Sequence, residues 1–185
     1  MTVNAEDLLA FFLGQGWTRN SICGMLGNMQ SESSINYGIY ESLNSGSSTN
    51  GFGLVQWTPN TNYFDWANAN GYSGDHVNGE KQRILYELNN GIQWYSTSSY
   101  PMTFLEFTQS TDTPENLAYA WLHDYERPAS LDQPQRQTQA RYWWDNLSGT
   151  GTIGGGGGGG GTVPPPTANN SLITLLLCDA LNGWR

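Results

Sequence analysis

Ile22-Cys23-Gly24-Met25-Leu26-Gly27-Asn28-Met29-Gln30-Ser31-Glu32-Ser33 is the run from which the rest of the chain is read. Ile22, Met25, Leu26 and Met29 recur at helical spacing, so one face is apolar and buried. Gly24 and Gly27 each cost such a helix roughly 1 kcal/mol against alanine. Their presence implies close approach of a neighbouring helix. After Met29 the pattern turns polar, which places Glu32 at or near the last turn. A carboxylate there meets the negative end of the helix dipole, and apolar walls would add a desolvation penalty. Both disfavour the charged form, and a carboxyl that keeps its proton near neutral pH is what a general acid requires. The plain alternative is a solvated glutamate at a helix end.

Working outward, Asn4 reads as an N-cap, with Glu6 and Asp7 in a first turn that precedes the stripe Leu8, Leu9, Phe11, Phe12 and Leu13. Gly14 and Gly16 end that helix, and Thr18 caps the one that carries Glu32. Residues 36–50, rich in Ser, Asn and Gly, predict a loop or loose hairpin. Gly51-Phe52-Gly53-Leu54-Val55-Gln56-Trp57 predicts a short strand bracketed by turns. Thr58-Pro59 predicts a cap and a first-turn proline for a helix with Tyr63, Trp66 and Ala67 inward. A further helix is expected from about Gly79 to Asn90, burying Ile84, Leu85 and Leu88. Thr103 and Glu106 form a capping box ahead of Phe104, Leu105 and Phe107. Thr113-Pro114 opens a helix that stops at Tyr125-Glu126-Arg127-Pro128, since a residue before proline avoids helical angles. The last helix, roughly Pro134 to Leu147, carries Tyr142, Trp143 and Trp144.

The composition then changes. Gly154 to Gly161 is an unbroken glycine run, followed by Pro164-Pro165-Pro166 and a mostly apolar stretch from Leu172 to Leu177. The organisation expected is one domain over 1–149, a Gly/Pro-rich linker over 150–167 and a short apolar tail over 168–185. The fold class expected is α+β and mostly helical, with one small β-hairpin beside a cleft. A helix ending in a glutamate, then a hairpin, then a helical lobe is the layout of lysozyme-like folds.

The 185 residues suffice for one domain with a proper core. Aromatic residues make up 13% of an otherwise polar chain, and Trp and Tyr faces suit pyranose rings as well as cores. The formal net charge of −9 argues against nucleic acid, whose phosphates need Lys and Arg. It equally argues against holding an anionic wall or membrane by bulk electrostatics. The amino terminus lacks the basic segment and cleavage motif of a signal peptide, and no stretch is long and apolar enough to span a bilayer. Cys23 reads as a small buried residue and Cys178 falls in the tail; no structural disulfide and no metal-type Cys/His spacing is expected.

Three segments in order, ICGMLGNMQSESSIN (Ile22 to Asn36), GFGLVQWT (Gly51 to Thr58) and YERP (Tyr125 to Pro128), resemble the phage tail lysozyme family. The resemblance covers residues 1–149. It implies a lysozyme-like fold that cuts the glycan strands of bacterial peptidoglycan, carried at the tip of a virion tail, where it opens the host wall for DNA delivery. The family's catalytic glutamate falls on Glu32. The hairpin segment puts Gln56 and Trp57 near substrate, and Asn28 and Tyr125 complete the expected binding set. In the tail-knob peptidoglycan-degrading proteins of small podophages, such a linker leads to a metallopeptidase domain. Here the tail lacks the His and Asp residues for one, so no cofactor and no metal are expected. The tail reads instead as a docking peptide for another virion tail protein.

In that reading Glu32 protonates the glycosidic oxygen between N-acetylmuramic acid and N-acetylglucosamine, a transfer that contributes about 10²–10⁴-fold. Glu126 is the first candidate for a second carboxylate, because it ends a helix expected to wall the cleft; pairing with Arg127 is its plain alternative. Glu41 and Asp65 are weaker candidates. With no second carboxylate facing Glu32, a lytic transglycosylase becomes plausible, one glutamate serving as acid and then base. Two further classes are a cysteine peptidase using Cys23 with His76 or His123, and a non-catalytic tail or wall-binding module. A free endolysin is the rival placement to the virion.

Overall fold

The computed structural model describes residues 2–148. The linker, the apolar tail and Cys178 lie outside the described residues. Within them the chain forms seven α-helices: α1 (Thr2–Gly14), α2 (Arg19–Ser33), α3 (Thr61–Ala69), α4 (His76–Asn90), α5 (Phe104–Gln109), α6 (Pro114–Trp121) and α7 (Gln135–Asn146). A 3-10 turn, Glu41–Leu43, interrupts the long loop after α2. α6 runs on into a π-helical turn, Leu122–Glu126.

α2 lies at the centre. It packs against α6 and α7, and its glycines show how closely. A Cβ added at Gly24 would lie 2.8 Å from the Leu117 backbone in α6, and one at Gly27 would lie 2.8 Å from the Ala140 nitrogen in α7. Ile22, Cys23, Met25, Leu26 and Met29 are fully buried, as the periodicity requires. Thr18 caps α2 by accepting from the Ser21 N–H, and Ser34 ends it in the left-handed region at φ 53°. The Thr103–Glu106 capping box is formed, and Thr113 caps α6 with Pro114 in its first turn.

Several local expectations are corrected. Among the described residues there is no strand and no hairpin ladder; Tyr40–Phe52 and Phe52–Trp57 are isolated antiparallel bridges. The physical reason is local, since Gly53 at φ 80° and Gln56 at φ 51° break any extended run. Asn4 does not cap α1, which starts at Thr2; its amide instead donates to the Ile35 carbonyl at 2.8 Å and ties α1 to the exit of α2. α3 starts at Thr61, beyond Pro59. The inward face of α4 is not simply apolar: Ile84 is buried, but so are Glu80, Lys81 and Glu87, while Leu85 and Leu88 are only half-buried. Leu105 and Tyr142 point to solvent.

Candidate active site

The last turn of α2, the loop around residues 39–43, the Val55–Thr58 segment and the Tyr125–Pro128 segment surround a cleft of about 750 Å³. Glu32, Gln56, Trp57, Tyr125 and Glu126 all line it, and so does Glu41. The sequence-predicted set therefore converges, with one exception. Asn28 is fully buried behind the cleft, where its amide donates to the carbonyls of Gly24 (3.1 Å) and Ala118 (2.9 Å). It cannot touch substrate from there, because one helical turn inward from Glu32 faces α6 rather than solvent.

Glu32 is partly open to the cleft, its side chain 22% exposed. One oxygen accepts from the Arg136 guanidinium, contributed by α7. Arg136 is itself fixed, donating to Asn28 Oδ1 at 3.1 Å and to Gln133 Oε1 at 2.7 Å. Asn28 thus acts through Arg136 as a positioning residue. Ser33 Oγ donates to Met29 O and to Leu54 O, both at 3.0 Å, and so ties the end of α2 to the opposite wall.

Glu126 ends the π-helical turn and is bound to Trp121, not to Arg127: the Trp121 indole N–H donates to Oε1 at 2.9 Å. Burial pushes its carboxyl up to about 8, and the negative charge of Glu32 pushes in the same direction. Glu32 is thus bonded to a fixed cation and Glu126 to an indole N–H, and both are half-buried at the cleft.

The cleft walls rest on two buried carboxyls from α4 that the sequence reading missed. Glu87 accepts from the Trp57 indole N–H (2.8 Å), the Tyr125 hydroxyl (2.5 Å) and Arg83 Nε (3.0 Å). Its burial outweighs these donors and raises its carboxyl above the ordinary range. Trp57 and Tyr125 are only 5% and 1% exposed, so neither offers an open stacking face. Glu80 accepts from the backbone N–H of Gly38 and of Leu54, both at 2.7 Å, and burial pushes it up to about 8. A signal for Glu87 did exist: buried Trp and Tyr need a partner for their polar ends. Nothing in the sequence pointed to Glu80, whose partners are main-chain groups.

Gln56 lines the cleft with its amide nitrogen bonded to Gly53 O at 2.8 Å and its buried Oε1 without a partner. Of the weaker carboxylate candidates, Glu41 accepts from the Gly51 N–H at 2.9 Å, and Asp65 is exposed on α3 away from the cleft lining. Cys23 is fully buried in α2 with its thiol pushed up to about 12 by burial, which is the wrong environment for a nucleophile. Its suggested partners lie elsewhere, His76 beside Tyr63 and His123 beside Tyr119. Among the described residues no cluster of three or more His, Cys, Asp or Glu could hold a metal ion, and no helix is long and apolar enough to cross a membrane.

The chain matches the family model described as phage tail lysozyme over residues 3–147. It is 52% identical over 154 residues to morphogenesis protein 1 of Bacillus phage B103, a match that spans 83% of this chain and 42% of that protein. The chain thus spans less than half the length of this relative. With both the helix-borne Glu32 and its cleft inside the matched region, the chain belongs to the phage tail lysozyme family.

Proposed function

We propose that the chain cleaves the glycan strands of peptidoglycan as an N-acetylmuramidase, with Glu32 and Glu126 as its reacting carboxyls. The observation that supports this most directly is the pair itself: two carboxyls lining one cleft, Glu32 bonded to the fixed Arg136 and Glu126 to the Trp121 indole N–H. Glu32 passes its proton to the glycosidic oxygen as the bond from that oxygen to C1 of the muramoyl sugar breaks. Water adds to C1 and loses its proton to Glu126, which takes it in its ionised form.

One specific observation favours the same chemistry with the roles exchanged. Burial, with the neighbouring Glu32, raises the Glu126 carboxyl to about 8, so Glu126 keeps its proton near neutral pH. In that version Glu126 is the acid and Glu32 the base or nucleophile. A glycoside with a nitrophenyl leaving group needs no protonation, so it rescues the variant that lacks the acid. Rescue of Glu32→Gln supports the first assignment, and rescue of Glu126→Gln supports the second.

Mass spectrometry of muropeptides released from purified peptidoglycan tests the reaction. Reducing-end muramic acid from the wild type, lost in Glu32→Gln, is the expected result. Anhydro-muramic ends would make the chain a lytic transglycosylase, and no release from several wall types would leave a non-catalytic module. Its placement at the virion tail tip, opening the wall for DNA delivery, rests on the family and on the relative's being named a morphogenesis protein. Docking on another tail protein through 168–185 is part of this reading. Unchanged virion incorporation after deletion of Thr162 to Arg185 would end it.

A further inference from the structure

The cleft is lined by three carboxyl side chains, Glu32, Glu41 and Glu126, and by one basic side chain, Arg127. Arg127 is held in an unusual way. Its backbone sits in the left-handed region at φ 49°, a conformation that costs a residue with a side chain of order 1–3 kcal/mol and persists only where the surroundings impose it. Its guanidinium lies over the Tyr95 ring, 4.3 Å from the centroid. Nη1 donates to the carbonyls of Gln93 and Asp124, the latter at 2.8 Å. The fork is therefore anchored by one nitrogen and one face. Its other edge, Nε and Nη2, makes no hydrogen bond among the described residues. That edge carries the two parallel donors that match a carboxylate bidentately.

On a strand that bears its peptides, the lactyl carboxyl of each muramoyl residue is tied up as an amide, so the sugars themselves offer such a group no anion. The stem peptides do, since each presents free carboxylates beside the strand. On a chain of formal charge −9, with acidic residues along the same cleft, an anionic stem would otherwise be repelled. We infer that Arg127, anchored on Tyr95, Gln93 and Asp124, is a carboxylate-binding residue that selects glycan strands still bearing their stem peptides. This rests on the glycan-cleaving reading above and names the form of the strand that it takes.

The experiment compares kcat/KM on strands carrying stem peptides with kcat/KM on strands stripped of them by an amidase and then capped as methylamides at the lactyl carboxyls that the amidase exposes, both freed of wall phosphate polymers with hydrofluoric acid. The ratio is expected to fall about tenfold in Arg127→Gln, the size of a lost charge-assisted bidentate contact. Arg127→Lys, which keeps the charge without the fork, should recover part of it. A change made to the substrate guards against a folding defect: converting the stem carboxylates to methylamides should lower the wild-type ratio, and Arg127→Gln should be insensitive to that change. A ratio unmoved by both the substitution and the amidation, with cleavage intact, overturns the inference. A preference that disappears on hydrofluoric acid treatment also overturns it, by assigning Arg127 to phosphate. Failure of the wild type to cut either strand would instead bring down the glycan-cleaving reading, and this inference with it.

Discussion

On one side of the cleft the backbone is fixed by helices in direct contact. α2 meets α6 at Gly24 and α7 at Gly27, with no room for a methyl group at either position. On the other side, residues 34–60 contain a single 3-10 turn and two isolated bridges. That wall sinks Phe52, Leu54 and Trp57 into the core, and its backbone is tied by carboxyls rather than by helix-to-helix contact: Glu80 and Glu87 of α4 reach into the loop to Gly38, Leu54 and Trp57, and Glu41 within it accepts from Gly51. The carboxyls proposed to react and Arg136 come from the packed side, and Gln56 and Trp57 come from the other. Under the proposed function, that division keeps the proton-transfer geometry on the helical side while a polymer lies along the loop side.

Substitutions can break that contrast on either side. The largest effect is expected on the packed side without any change in packing. Glu32→Gln should lower the rate of muropeptide release by about 10²–10⁴-fold, with the melting temperature close to that of the wild type. On the tethered side, Glu80→Ala strands two buried N–H groups, each costing about 1–3 kcal/mol. Calorimetry should show that loss, and proteolysis should nick the 34–60 loop first. Gly27→Ala sets the opposite failure. Helix propensity would gain roughly 1 kcal/mol. The methyl would collide with the Arg136–Ala140 backbone, and overpacking costs about 1–3 kcal/mol. Backbone cannot yield as a flexible side chain can, so net destabilisation is expected, and activity should fall with it because α7 carries Arg136.

The smallest effect sharpens the comparison by pH. Glu80 and Glu126 are both pushed up to about 8 from an ordinary 4.5. Between those values the folded state binds more protons than the unfolded state, so stability falls as pH rises through that window. The melting temperature should therefore decline from about pH 5 to about pH 8, each lost kcal/mol reading as about 2–4 °C. Glu80→Gln should flatten the slope while leaving the carboxyl pair in place. A slope unchanged by that substitution would mean that Glu80 does not hold its proton.

The packed side was largely legible in the sequence and the tethered side was not. Gly24 and Gly27 announce close approach because a glycine within an apolar helical stripe has few other uses, and Thr18, Thr103 and Pro114 mark helix starts by short-range chemistry. Those signals act over three or four residues. Glu80 is 42 residues from Gly38 and 26 from Leu54, and its partners are main-chain groups that every residue possesses. Within His76–Asn90 it looks like one more solvated charge. Arg136 hides in the same way among the polar residues of α7. The expected hairpin failed because Gly51 to Trp57 has strand-like composition, while the positive φ angles at Gly53 and Gln56 break the extended run.

The bond from Trp121 to Glu126 gives the site a signal of its own. An indole whose N–H points at a carboxyl feels the field change when that carboxyl gains or loses its proton. Its near-ultraviolet absorption and dichroism then follow the charge on Glu126 in the working protein, without an added dye. Seven other tryptophans contribute a constant background that a Glu126→Gln difference spectrum removes. The protonation of one cleft carboxyl can thus be watched optically while substrate fills the space beside it.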